Sequence, residues 1–309
     1  LDIELRPLRL AEIFDRIFQL YRARFSLFLG IAAVSTTVEL AWNLANAFNS
    51  RWLTHSGLSL TARQSITSGA VVVGWGFVFA AAALSLAATN QALTAIYDGR
   101  PTSIAQSYSA LRSNWLRCIW VSILTYILAW GAAIVVLVGA VAAILLAKRA
   151  QNVGQANALT AIYGATGLLI LVALPLCVWL TLRYSLAVPA CADEDLKTIA
   201  SLKRSGFLAQ GTMGRIFLLL FIVVCAQSMI GIVLLTPILA VFIKNQGHAS
   251  FGATAYTIVA TAITSALVKP IYSIGLTLFY YDARVRKEGF DLERGLERLK
   301  AHINVEAAG

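Results

Sequence analysis

The chain has 309 residues, 59% of them hydrophobic and only 13% charged, with a mean hydropathy of +0.74. A water-soluble domain covers itself with roughly a quarter to a third charged residues, so this composition excludes an ordinary soluble enzyme or binding module. The formal charge of +10 would suit nucleic acid, but Lys and Arg flank apolar runs and form no stripe on a polar domain, which directs them to anionic lipid headgroups instead.

The first 24 residues hold nine charges. They predict no cleavable signal peptide and leave the first span to act as the insertion signal. Over residues 8–23, Leu10, Ile13, Phe14, Ile17, Phe18 and Tyr21 recur at helical spacing, with Glu12, Asp15, Arg16, Gln19 and Arg22 opposite. That is the pattern of an amphipathic helix lying in the interfacial plane. Six apolar segments follow, at about 25–47, 69–96, 116–147, 159–188, 215–243 and 255–281. Val71–Gln91 and Cys118–Ala147 contain no Asp, Glu, Lys or Arg, and about 20 such residues cross ~30 Å of hydrocarbon. Pro175, Pro237 and Pro270 fall inside spans four, five and six and predict kinks there. In span two, Ala80 to Ala83, Ser85, Ala87 and Ala88 let neighbours approach closely and predict a central helix. The 191–214 loop predicts a short helix on the membrane surface. Its Asp193-Glu194-Asp195 opening reads as a solvated helix start or, less often, a cation attractor. Residues 282–309 form a tail that fades into a small-residue end expected to be unstructured. The expected fold is one all-α membrane domain over 1–309: six transmembrane helices with short amphipathic interfacial helices.

Orientation follows from charge. With the N-terminus inside, the cytoplasmic segments carry 19 of the 25 Lys and Arg, the bias that short cytoplasmic loops show. Both termini are therefore expected in the cytoplasm. A threefold repeat is also legible. Leu20-Tyr21-Arg22, Leu111-Arg112-Ser113 and Leu202-Lys203-Arg204 are spaced by 91 residues twice over, and Tyr97-Asp98-Gly99-Arg100 is echoed by Tyr281-Asp282-Ala283-Arg284. Such spacing predicts three helix-plus-hairpin units, although interfacial ends of unrelated hairpins also look alike.

Candidate chemistry is sparse. Glu39 and Lys269 lie within spans, where a charge costs about 2.5–3.5 kcal/mol at the helix centre. From the cytoplasmic side Glu39 lies roughly 22 Å beyond Arg24, and Lys269 roughly 20 Å before Asp282. At similar depth they can pair, sit separately near headgroups, or line a transport site. His55, His248 and His302 are scattered, and no carboxylate stands in an outer loop to join them around a metal. Cys118, Cys177, Cys191 and Cys225 lack paired spacing and read as small buried hydrophobes. The G-x-S-x-G elbow, the phosphate-binding loop and the dinucleotide glycine pattern are absent from the sequence. No catalytic residue, metal or cofactor is expected. Arg16, Arg22, Arg24, Arg112, Lys203, Arg204, Arg284, Arg286 and Lys287 are the candidate contacts to lipid headgroups or to a protein partner.

Three motifs carry a family likeness. They are Arg6-Pro7-Leu8-Arg9-Leu10-Ala11-Glu12-Ile13-Phe14-Asp15-Arg16, Val188-Pro189 with Leu202-Lys203-Arg204-Ser205, and Tyr280-Tyr281-Asp282-Ala283-Arg284-Val285-Arg286-Lys287-Glu288-Gly289-Phe290-Asp291-Leu292. Together they resemble the bacterial glycerophosphoryl diester phosphodiesterase membrane domain family, over nearly the whole chain. In some relatives that domain is fused to a soluble diesterase barrel. With about 27 residues after Asp282, the resemblance implies the membrane part without the barrel. It transfers no catalytic residue. The expected function is a non-catalytic membrane protein that interacts with lipids or organises a complex; the alternative is a transporter with its site near Glu39 and Lys269.

Overall fold

The computed structural model describes residues 7–152, 156–244 and 251–289. His248, His302 and the tail beyond Gly289 lie outside them, as does Arg6. The described residues form helices α1 (Leu10–Ala23), α2 (Phe25–His55), α3 (Leu60–Tyr97), α4 (Ile104–Ser109), α5 (Trp115–Asn152), α6 (Ala156–Tyr184), α7 (Ala187–Glu194), α8 (Thr198–Ala209), α9 (Met213–Lys244) and α10 (Phe251–Glu288). Six of them, α2, α3, α5, α6, α9 and α10, supply the stretches long and apolar enough to cross a membrane. Only 11–28% of the most apolar window of each stretch is buried within the protein. The remaining apolar surface needs lipid around it. This is a multi-pass, all-helical membrane protein.

The helices that carry the spans extend beyond the predicted apolar segments. At 38 residues, α3, α5 and α10 each reach roughly 57 Å, nearly twice the hydrocarbon thickness. Within span four, expected to 188, helix α6 ends at Tyr184. A turn at Ser185 and Leu186 separates it from α7, with Pro189 in the first turn of the new helix, where its missing N–H costs little. Helix α6 runs unbroken through Pro175, α9 through Pro237 and α10 through Pro270.

Three helix-plus-hairpin units follow in order: α1–α2–α3, α4–α5–α6 and α8–α9–α10, with α7 between the second and third. Their register is less regular than the 91-residue spacing implies. Leu20 and Leu111 are buried five and four residues before Phe25 and Trp115 open the next helix. Leu202 precedes Met213 by eleven, and the wholly buried Leu208, five residues before Met213, takes the equivalent place.

Helices α3 and α10 form the centre. α3 packs on α2, α5, α7 and α10, and α10 packs on α1, α2, α3 and α9. The small residues of α3 serve this: Ala83, Ala87 and Ala88 are buried. Two glycines are demanded by close approach. A Cβ at Gly74 would lie 2.0 Å from the Trp42 indole of α2, and one at Gly275 of α10 would lie 2.5 Å from Leu219 of α9 and 3.2 Å from Ile17 of α1.

The short helices α1, α4, α7 and α8 gather at one end of the bundle, called here the basic end. Helix α1 has the predicted amphipathic pattern, but Ile13, Ile17 and Leu20 are covered by protein. They join Leu186, Cys191, Leu208, Phe279 and Tyr280 in one core. The sequence offered α1 too few neighbours for a core of its own; the protruding end of α10, with α2, provides them. Cys118 and Cys191, far apart in sequence, face each other with Sγ atoms 3.9 Å apart.

Candidate functional site

The polar groups singled out in the sequence converge at the basic end, on the last two turns of α10. Asp193 and Glu194 close α7, and Asp195 ends it with a left-handed backbone (φ 51°). This turn aims the first two carboxylates inward. They are not the solvated helix start expected from the sequence. The Tyr280 hydroxyl donates to Asp193 Oδ2 at 3.0 Å and Glu194 Oε1 at 2.8 Å, and Tyr281 donates to Asp193 Oδ1 at 3.0 Å. Arg284 adds a 2.8 Å ion pair to Asp193. Arg204 of α8 donates to Glu194 at 2.8 Å and pairs with Glu288 through both terminal nitrogens. Burial works against the Arg204 charge, but Glu288 and Glu194 outweigh it, so its guanidinium holds its proton more firmly than usual.

Asp282 forms a second node on the next face of α10. Its side chain is fully buried. It accepts from the Leu8 N–H at 2.8 Å, from Arg286 at 2.8 Å and from Arg215 at 3.4 Å. Arg286 also donates to the Leu8 carbonyl. The segment entering α1 is thereby tied to both ends of the third unit. Where Tyr97 and Tyr281 meet, the rings stand edge to face at 5.7 Å, and the Thr94 and Tyr281 hydroxyls are 2.7 Å apart. Helix α7 is pinned to α3 by Gln91, whose amide donates to the Ala192 carbonyl at 2.7 Å, and Ser205 of α8 donates to the Arg183 carbonyl at 2.9 Å. The three motifs that carried the resemblance, within the described residues, thus meet in one place.

The remaining sequence candidates divide clearly. Lys269 Nζ donates to Glu39 Oε2 at 2.5 Å, joining α10 to α2 within the membrane-spanning layer. Lys287 donates to the Phe207 carbonyl and lies over its ring. Arg16 stands close enough to the Tyr97 hydroxyl to act on it electrostatically. Arg22, Arg24, Arg112 and Lys203 are exposed and have no carboxylate partner among the described residues. Among those residues, no group of three or more His, Cys, Asp and Glu is placed to hold a metal ion. Chemically, the site is a set of ion pairs and phenol donors that satisfy one another.

Sequence reading missed the roles of Asp193, Glu194, Tyr280 and Asp282, since nothing in their local spacing tells which acids face α10. It also missed a groove between α3 and α5, about 650 Å³, lined by Trp75, Phe79, Tyr126 and Trp130. The signal for it was present: Trp120, Ile123, Ile127, Trp130 and Ile134 recur at three- and four-residue steps on α5.

No family model, curated protein or solved structure matches the chain.

Proposed function

We propose that the protein is a non-catalytic, lipid-interacting membrane protein whose basic end lies at the cytoplasmic face of a bacterial inner membrane. The supporting observation is an asymmetry of charge. Asp193, Glu194, Asp282 and Glu288 of the basic end are engaged internally, while Arg22, Arg24, Arg112 and Lys203 are exposed with no carboxylate partner among the described residues. Bases in that position attract anionic headgroups by about 1 kcal/mol each. A transporter with its site at Glu39 and Lys269 fits less well, because the two charges already neutralise each other and an open transport site would leave one for its substrate.

The test is lipid analysis of protein extracted with its surrounding bilayer in a copolymer disc. Anionic lipid enriched over the bulk membrane supports the proposal. Enrichment should fall when Arg22, Arg24 and Arg112 are all changed to Gln. Composition equal to the bulk in both proteins would refute it. Orientation is checked separately: a reporter active only in the cytoplasm should be silent when fused after Ser56 or Ala150.

A further inference from the structure

Along α5 the stripe Trp120, Ile123, Ile127, Trp130 and Ile134 faces one direction and spans roughly 21 Å of helix. One leaflet of hydrocarbon is roughly 15 Å thick. The far part of this stripe forms one wall of the α3–α5 groove, with Trp75 and Phe79 opposite. Gly76 lines the groove where it is open, since a Cβ there would meet nothing within 4 Å. Toward the basic end, Ile123 and Ile127 also line a second hollow of about 210 Å³, bounded by Trp120, Leu124 and Thr198. Thr198 in turn lines a third, about 470 Å³, together with Lys197 and Lys203. The three hollows follow one another through shared lining residues, Ile123 and Ile127 between the first two and Thr198 between the last two, in a row that is apolar along α5 and basic beside Lys197 and Lys203.

We infer that this row of hollows binds one anionic phospholipid, with an acyl chain in the α3–α5 groove and the phosphate between Lys197 and Lys203. The inference rests on the lipid-interacting reading above and assigns it a site. Charge complementarity selects the occupant. Lys197 and Lys203 are exposed and have no carboxylate partner among the described residues, and the nearest acid in sequence, Asp195, is held by Arg117 at 2.5 Å. The Thr198 hydroxyl between them is a further donor to phosphate. A second transmembrane helix would match the apolar groove but would leave the two lysines without a counter-ion.

The experiment uses the purified chain in nanodiscs of equimolar phosphatidylglycerol and phosphatidylcholine, ejected into a native mass spectrometer. One retained phosphatidylglycerol per chain is expected. Changing both Lys197 and Lys203 to Gln should reduce the preference for phosphatidylglycerol by roughly thirtyfold, about fivefold for each lysine. Gly76→Phe, which plugs the groove, should abolish retention of either lipid. Helical content and melting temperature, measured on each variant, show that it is folded. If wild type retains phosphatidylglycerol and folded variants retain it equally, the site is wrong while the general lipid reading stands. If wild type retains no anionic lipid, the general reading fails with it. A second copy of the chain held in the groove in place of lipid would also overturn the assignment.

Discussion

The Glu39–Lys269 pair offers the sharpest test of how the bundle is held together. At 2.5 Å, two unit charges attract by roughly 7 kcal/mol at an effective dielectric of 20, against which stands the cost of removing both from water. Replacing Lys269 with Met removes the attraction but leaves the carboxylate inside the bundle, a change that costs about 3–5 kcal/mol in buried pairs. Lys269→Met is therefore expected to lose about 3–5 kcal/mol. The double variant Glu39→Gln/Lys269→Met should lie within about 1 kcal/mol of wild type, since a neutral pair avoids the desolvation cost altogether. Unfolding in mixed micelles of mild detergent and dodecyl sulfate, followed by circular dichroism, measures all four corners of the cycle. Single variants that each lose less than about 1 kcal/mol would show that the charges do not hold α2 to α10.

Three further outcomes are expected. Arg284→Met leaves Asp193 and Glu194, both less than 20% exposed, short of a counter-charge and should cost about 3–5 kcal/mol in the same unfolding assay; a loss below about 1 kcal/mol would mean the network is idle. Gly74→Ala drives a Cβ into the rigid Trp42 indole and should cost about 1–3 kcal/mol, whereas Gly76→Ala, one step along the same helix, has open space and should be neutral or gain up to about 1 kcal/mol; equal melting temperatures for the two would refute the packing argument. Burial pushes the Tyr108 phenol up to about 12, against a smaller lowering by Ser85, while its hydroxyl donates to the Ile31 carbonyl at 2.9 Å. Its contribution is complete below the ordinary value of 10 and should be lost as pH rises from there through 12; Tyr108→Phe should remove that alkaline loss at a cost of about 1 kcal/mol near neutrality, read by melting across an alkaline series.

Much was decided by the sequence alone. Uncharged runs such as Val71–Gln91 leave no soluble alternative, and no tertiary contact is needed to see it, because the cost of exposing or burying a backbone depends on the run itself. The amphipathic period of α1, the small-residue face of α3 and the equal depth of Glu39 and Lys269 were legible for the same reason: helical spacing is a local property. Tertiary structure decided what each face meets. Ile13 and Ile17 show an apolar stripe whether lipid or protein covers it, and only the presence of α10 beside them turns that stripe into core. Asp193 and Glu194 look like any solvated acidic run until the left-handed turn at Asp195 ends α7 and directs them at Tyr280, Tyr281, Arg204 and Arg284. Likewise Lys197 and the stripe from Trp120 to Ile134 belong to different units, and their hollows adjoin only because α8 folds back onto α5. Periodicity is written along one helix, whereas a site assembled from several helices depends on distances between residues that the sequence separates by scores of positions.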